Sequence, residues 1–207
     1  MNTEQIIVTV LALAIAIIPH EVAHGYIAYL LGDPTAYRKG RLTLNPIVHI
    51  DPVGSVVLPV LLILLPTNIV FGWAKPVPIN PNYFRNPKKG MMFVGAAGPL
   101  TNFTFAGISA GVYQLFALTP QNVVGFFLVM MVLINTVLGL LNALPIPPLD
   151  GSRIVTGLLP DKLGRIYDRI QPFGFVLVLL FLFAGGLTYI VAPILSTLLR
   201  FLGISFQ

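Results

Sequence analysis

His20, Glu21 and His24 stand in the run HEVAH, inside a stretch that otherwise reads as apolar helix. Residues four apart on an α-helix lie about 40° apart around its axis, so both imidazoles can reach one metal ion. The Glu21 carboxylate falls beside that ion, where it can take a proton from a metal-bound water. Ionisable groups at membrane depth are costly and mark functional positions. These three residues offer hydrolysis, by an activated water, of a substrate that is itself in the bilayer.

The chain has no cysteine, three histidines and seven acidic residues. Disulfides and zinc–thiolate sites are excluded. Catalytic zinc usually takes three protein ligands and leaves a position for water. No H-E-x-x-H-x-x-G-x-x-H extension follows HEVAH, so the third ligand lies elsewhere. Asp33, His49, Asp51, Asp150, Asp161 and Asp168 are the candidates. Asp150 is favoured, because it follows a helix that breaks at Pro145-Ile146-Pro147-Pro148. Irregular backbone at membrane depth is tolerated where it lines a cavity. His49, near Asp51, reads as a hydrogen-bonded loop histidine.

The elements that must position these groups are membrane helices. Of the 207 residues, 56% are hydrophobic and 9% charged, against roughly 25% charged in soluble domains. The expected fold is an all-α polytopic membrane protein with about four spanning helices, over 5–31, 91–118, 123–143 and 173–199. The chain reads as a single integral-membrane domain over 1–207. Its catalytic core covers about 5–155, and an amphipathic segment and the last transmembrane helix fill 156–207. MNTEQIIVTV lacks a basic n-region and predicts a retained helix rather than a signal peptide. Polar–apolar alternation in 40–45 and 75–80 predicts short edge strands near the inner membrane face. Trp73, Tyr83 and Phe84 read as interfacial anchors. Gly95, Gly98 and Gly107 read as close-packing positions, and Asn135 as an interhelical contact.

The apolar run 53–65 is short and contains Pro59, as expected of a re-entrant or short fifth segment. If it spans, three cations of the flanking loops face one side and eight the other. If it re-enters, eleven of the twelve Lys and Arg share one side, which the positive-inside rule prefers. The N-terminus then lies outside, and His24 and Asp150 both lie toward the inner face. The net charge of +5 follows from this loop bias, and no basic run is interleaved with aromatics as nucleic-acid binding would require.

HEVAHGYIAYLLGDPTA, GRLTLNPIVHIDPVG, FGWAKPVPINP, GAAGPLTN and NALPIPPLDGSRI together resemble the site-2 protease family of intramembrane zinc metalloproteases. The resemblance covers roughly residues 15–155 and is strongest to the compact prokaryotic branch without PDZ or CBS domains. It implies one zinc ion per chain held by His20, His24 and Asp150, with Glu21 as catalytic base. Asn102 matches the asparagine of the family's G-P-x-x-N and Asn142 that of its N-x-x-P. Both are candidates to hydrogen-bond substrate backbone or the oxyanion. Ser152 in LDGSR stands where the family commonly has a second glycine. The implied function is an intramembrane zinc endopeptidase, cleaving in or near transmembrane segments of membrane proteins. Its expected place is a prokaryotic cell membrane, multi-pass, with the active site toward the cytoplasm. Its expected surroundings are substrate and lipid bilayer, with oligomeric state open. Two other functions fit less well. A metal transporter needs ligands strung along a pathway, and a scaffold that binds transmembrane helices has no use for Glu21.

Overall fold

The computed structural model describes residues 2–57 and 74–204. Helix α1, Thr3–Leu30, starts at a capping box: Asn2 Oδ1 accepts from the Gln5 amide at 2.8 Å, and Gln5 Oε1 accepts from the Asn2 amide at 3.0 Å. These bonds satisfy two of the orphan donors of the first turn. The helix stops where Gly32 adopts a φ of 104°, a conformation that suits a residue without Cβ. A short helix α2, Thr35–Arg38, and a 3₁₀ turn, Pro46–His49, follow.

Helix α3, Pro87–Leu115, is capped by Asn86 with proline in its first turn, and α4, Val123–Ala143, is capped by Asn122. Four shorter helices complete the described chain: α5 Asp150–Leu158, α6 Asp161–Asp168, α7 Gly174–Phe183 and α8 Ala192–Phe201. Helix α3 is the hub, packed against α1, α4 and α5, while α8 packs on α4. The interior is built of small residues: Ala12, Ala16 and Ala28 of α1 and Ala97, Ala106 and Ala110 of α3 are buried. The large side chains Ile6, Ile7, Val10, Leu11 and Leu30 of α1 point outward. Small residues inside and large apolar ones outside is the packing of a bundle whose solvent is lipid.

Four helical stretches are long and apolar enough to cross a membrane: Thr3–Leu30, Pro87–Leu115, Val123–Ala143 and Asp161–Phe183. The last differs from the 173–199 expected from hydropathy. Gly185, at a φ of 78°, ends the helical run after Phe183. The apolar stretch beyond it forms a separate, shorter helix over Leu187–Phe201. The span therefore begins earlier, in the amphipathic helix α6.

Residues 31 and 84 lie at the same end of the bundle: Phe84 is buried against Ala28 and Val94, with Leu31 packed on the same cluster. The two ends of the connection between α1 and α3 thus lie at one end of the bundle. Pro52–Val57 form a single π-helical turn, and 58–65 lie outside the described residues, as does Trp73. Tyr83 is half-exposed, but Phe84 is a core residue rather than an anchor. Gly90 leaves the space its ring fills, since a Cβ there would stand 2.7 Å from Phe84 Cγ.

Neither expected edge strand forms among the described residues. Pro76 and Pro78 remove two ladder donors. Two of the remaining amides go elsewhere: Lys75 donates to His49 O at 2.9 Å and Asn80 to the buried Asp33 Oδ2 at 2.6 Å. Alternation of side chains is present, and the ladder is not.

Phe84→Ala would empty a filled site and cost about 3 kcal/mol or more. A clear fall in the apparent melting temperature of the detergent-solubilised protein is expected, with Phe84→Leu falling much less.

Candidate metal centre

Helix α1 brings His20 and His24 onto one face, and both are buried. His20 Nδ1 lies 2.6 Å from Asn102 Oδ1 and His24 Nδ1 lies 2.6 Å from Val94 O. Asn102 Nδ2 donates to Ala16 O at 3.1 Å and to Asn135 Oδ1 at 2.9 Å, which assigns its oxygen to His20. Both acceptors on the imidazoles are therefore oxygens. Each Nδ1 carries the proton, and each Nε2 presents a lone pair.

Those two Nε2 atoms are 3.1 Å apart. Asp150 Oδ2 lies 3.2 Å from His20 Nε2 and 3.1 Å from His24 Nε2. Asp150 is the first residue of α5, directly after the Pro145–Pro148 break. Its other oxygen, Oδ1, accepts from Arg153 Nη1 at 3.3 Å. Three lone-pair donors thus converge in a buried site where they repel one another unless a cation lies among them. Tetrahedral ligands about 2.0–2.1 Å from zinc stand roughly 3.3 Å apart, close to the edges of this triangle. Two imidazoles and one carboxylate also form a donor set of the catalytic kind, with room for a fourth ligand. The residues fit the ion.

Glycines make this approach possible. A Cβ on Gly98 would sit 2.5 Å from both His20 Cε1 and His24 Nε2, and one on Gly95 would sit 2.9 Å from the Asp150 carbonyl oxygen. One turn of α3 thus admits the imidazoles at one glycine and helix α5 at the other. At Gly107, by contrast, a Cβ would meet open space, so that glycine is not a close-packing position.

Prolines matter in a similar way. Pro19 and Pro99 stand inside α1 and α3 and leave the carbonyls of Ile15 and Gly95 without their helical donors. The neighbouring carbonyls, Ala16 O and Val94 O, are the ones that accept from Asn102 and His24. Breaks in helical pairing at membrane depth are re-satisfied by side chains of adjacent helices.

Glu21, next to His20 in the chain, is half-buried, its Oε2 accepting from the Val77 amide at 3.0 Å. Asn102 is fully buried and stands behind His20. Its amide is committed to protein partners: His20, Ala16 O and Asn135. Asn142 is half-buried and donates to Leu138 O of its own helix at 3.1 Å. The structure does not bring it into this cluster. The other ligand candidates are placed elsewhere. Asp33 accepts from Thr35 and Asn80, and Asp51 from the Val53 and Gly54 amides. Asp161 pairs with Lys88, Asp168 accepts from Thr156 and Gln171, and His49 Nε2 bonds Thr43 O. Asn135 is the interhelical contact expected from the sequence, and it holds Asn102; sequence reasoning missed the carbonyl of Val94, which no side-chain pattern reveals. A cavity of about 460 Å³ between the start of α3 and helices α5 and α6 is lined by Lys88, Arg153, Arg165 and Asp168. None of the three converging side chains lines it.

The family model described as Peptidase family M50 matches residues 111–185. YwhC of Bacillus subtilis, named as a candidate zinc metalloprotease, is 37% identical over 196 residues, covering 90% of this chain and 85% of YwhC. The chain belongs to peptidase family M50, the site-2 protease family. Rip2 of Mycolicibacterium smegmatis, also named as a candidate zinc metalloprotease, is 29% identical over 81% of this chain and 63% of its own length. The zinc metalloprotease MJ0392 of Methanocaldococcus jannaschii is 32% identical over 56% of this chain and 34% of its own. No solved structure matches. With its four apolar spans, this M50 member is a multi-pass membrane metalloprotease.

Loss of an outer hydrogen-bond partner of a ligating histidine typically costs 10–100-fold in metal affinity. Asn102→Leu is expected to weaken zinc binding by about that range, read by competition with a chelating dye, while Asn142→Leu leaves it unchanged.

Proposed function

We propose that this chain is an intramembrane zinc endopeptidase that cleaves peptide bonds in or near transmembrane segments of membrane proteins. The observation that carries the reading is the convergence of His20 Nε2, His24 Nε2 and Asp150 Oδ2, with Glu21 next to His20 in the chain. His20, His24 and Asp150 would hold one zinc ion. When bound, zinc supplies a Lewis acid that activates water and polarises a carbonyl.

The rest of the chemistry belongs to the chain. Glu21, anchored through Oε2, uses Oε1 to take a proton from the attacking water. It then returns that proton to the nitrogen of the departing amine, so that one carboxylate serves as base and then acid. Asn102 keeps His20 in the tautomer that turns Nε2 toward the centre, and Val94 O does the same for His24. Arg153 occupies Asp150 Oδ1 and leaves Oδ2 to the cluster.

The substrate carbonyl must be exposed, so a helical substrate unwinds locally before cleavage. The irregular backbone of 40–45 and 75–80 is the surface we assign to the unwound segment. Pairing there resembles β-augmentation, with the edge bearing Pro76 and Pro78 offering carbonyls alone. The site faces the cytoplasm in this reading, supported by the cation-rich loops and the positive-inside rule. A transporter reading lacks a second ligand cluster among the described residues.

Glu21→Gln keeps the shape and removes the proton acceptor. It is expected to retain about one zinc per chain while losing cleavage of a tagged transmembrane reporter by about 10²–10⁴-fold. Cleavage at the wild-type rate would remove Glu21 from the mechanism. Asp150→Ala is expected to lose most of the zinc, measured by elemental mass spectrometry; full retention would show that Asp150 is not a ligand.

A further inference from the structure

Arg41 is a buried cation, 8% exposed, with no carboxylate paired to it among the described residues. Its guanidinium faces backbone. Nη1 donates to Val48 O, and Nη2 donates to Lys75 O at 2.7 Å and Pro76 O at 3.3 Å. Its Nε is buried without a hydrogen-bond partner. Burying a charge without a counter-charge is costly. A surface loop needs no such residue, and this loop leads directly to the reaction centre.

The next residue along the chain from the two clamped carbonyls is Val77. Its amide is the group that holds Glu21 Oε2 at 3.0 Å. Its side chain is buried against α1, one turn beyond Glu21: a Cβ on Gly25 would stand 2.6 Å from Val77 Cγ1 and 2.7 Å from Leu42 Cδ2. Pro76 and Pro78 fix φ on both sides of Val77 and offer no amide of their own. The segment is thus stiff and carries few hydrogen bonds. It is pinned before Val77 by Arg41 and by His49 O, and after it by Asp33 through Asn80. The position of the Val77 amide is set by those pins.

We infer that Arg41 is a positioning residue for Glu21, acting through the carbonyls of Lys75 and Pro76 and the amide of Val77. This rests on Glu21 being the group that moves the proton. An amide held on Oε2 fixes the plane of the carboxylate and leaves Oε1 as the oxygen to take the proton. A displacement of about 1 Å in a reacting group can cost about a hundredfold in rate. The clamp therefore bears on the chemical step and not on metal binding, since neither histidine nor Asp150 touches the 74–80 segment through any hydrogen bond described.

The test uses the full chain in detergent, loaded with zinc. Three quantities are measured in wild type, Arg41→Ala and Arg41→Lys: zinc content, hydrogen exchange at the Val77 amide with isotope-labelled valine, and kcat and KM on a tagged single-span reporter helix. In Arg41→Ala we expect full zinc, fast exchange at Val77, and kcat reduced about tenfold to a hundredfold with KM within about twofold. Arg41→Lys, which keeps a cation near one carbonyl, recovers part of kcat and of the protection. Unchanged protection with unchanged kcat would overturn the assignment. So would a raised KM at constant kcat, which would make Arg41 a substrate-docking residue. Should Arg41→Ala fail to fold, Glu21→Ala decides the contact: Val77 exchange accelerates if its amide is held by that carboxylate, and stays slow if the inference is wrong. A wild-type protein that binds zinc and cleaves no reporter would end the peptidase reading, while the exchange data would still decide whether Arg41 holds Val77.

Discussion

Three lone-pair atoms brought within about 3 Å of one another in a low-dielectric interior form the constraint around which this molecule is built. His20 Nε2, His24 Nε2 and Asp150 Oδ2 stand 3.1–3.2 Å apart. Nothing in a hydrocarbon environment draws such atoms together, and each would be better solvated alone. Their approach is imposed by the packing of α1, α3 and α5, and a cation among them converts the repulsion into binding. The fold is therefore best understood as the apparatus that supplies this approach.

Absence of side chain is part of that apparatus. Gly98 lets the imidazoles lie on the surface of α3, Gly95 lets the start of α5 settle there, and Gly151 lets the chain turn close under the end of α4, where a Cβ would stand 2.4 Å from Leu144 O. Elsewhere in the bundle small residues serve ordinary helix packing. At these three positions they set the approach of the converging side chains. The same economy is visible in the prolines. Pro19 and Pro99 disturb helical pairing next to the carbonyls of Ala16 and Val94, and the disturbed rows are where Asn102 and His24 find their acceptors.

Much of this was legible in the chain and some was not, for definite reasons. HEVAH on a helix is a local pattern, and its geometry follows from the helical repeat alone. Asp150 was legible because the proline-rich break before it gives a carboxylate freedom to turn inward. The role of Asn102 was not. The polar side chain of a G-P-x-x-N motif can face substrate or a histidine, and the choice depends on how α1 and α3 are rotated against each other. Phe84 read as an interfacial anchor because aromatic residues near prolines and lysines resemble a membrane boundary; its burial depends on Gly90, six residues on and in another element. The 75–80 alternation has the spacing of a strand, but two prolines remove donors, and two carboxylates and the His49 carbonyl draw three of its amides away from any ladder. The division of the last apolar stretch at Gly185 rests on a backbone angle, which hydropathy does not report.

The four groups to which chemistry is assigned share one organising rule. Each commits one polar atom to a protein partner and keeps the other for the centre. His20 commits Nδ1 to Asn102, His24 commits Nδ1 to Val94 O, Asp150 commits Oδ1 to Arg153, and Glu21 commits Oε2 to the Val77 amide. Two of these partners are side chains and two are backbone groups, drawn from α3, α5 and the 74–80 segment. An imidazole or carboxylate with one end fixed retains little freedom to rotate, so the direction of its remaining lone pair is decided before substrate arrives. That is the kind of preorganisation that lets a polar site act without rearranging during reaction. It also explains why the site needs the irregular 74–80 segment. The helices orient the three converging groups, while Glu21 is held by the amide of Val77 in the 74–80 segment. The chain supplies the missing partner as a stiff, proline-bounded stretch of backbone, pinned at both ends and presenting a single amide to the carboxylate.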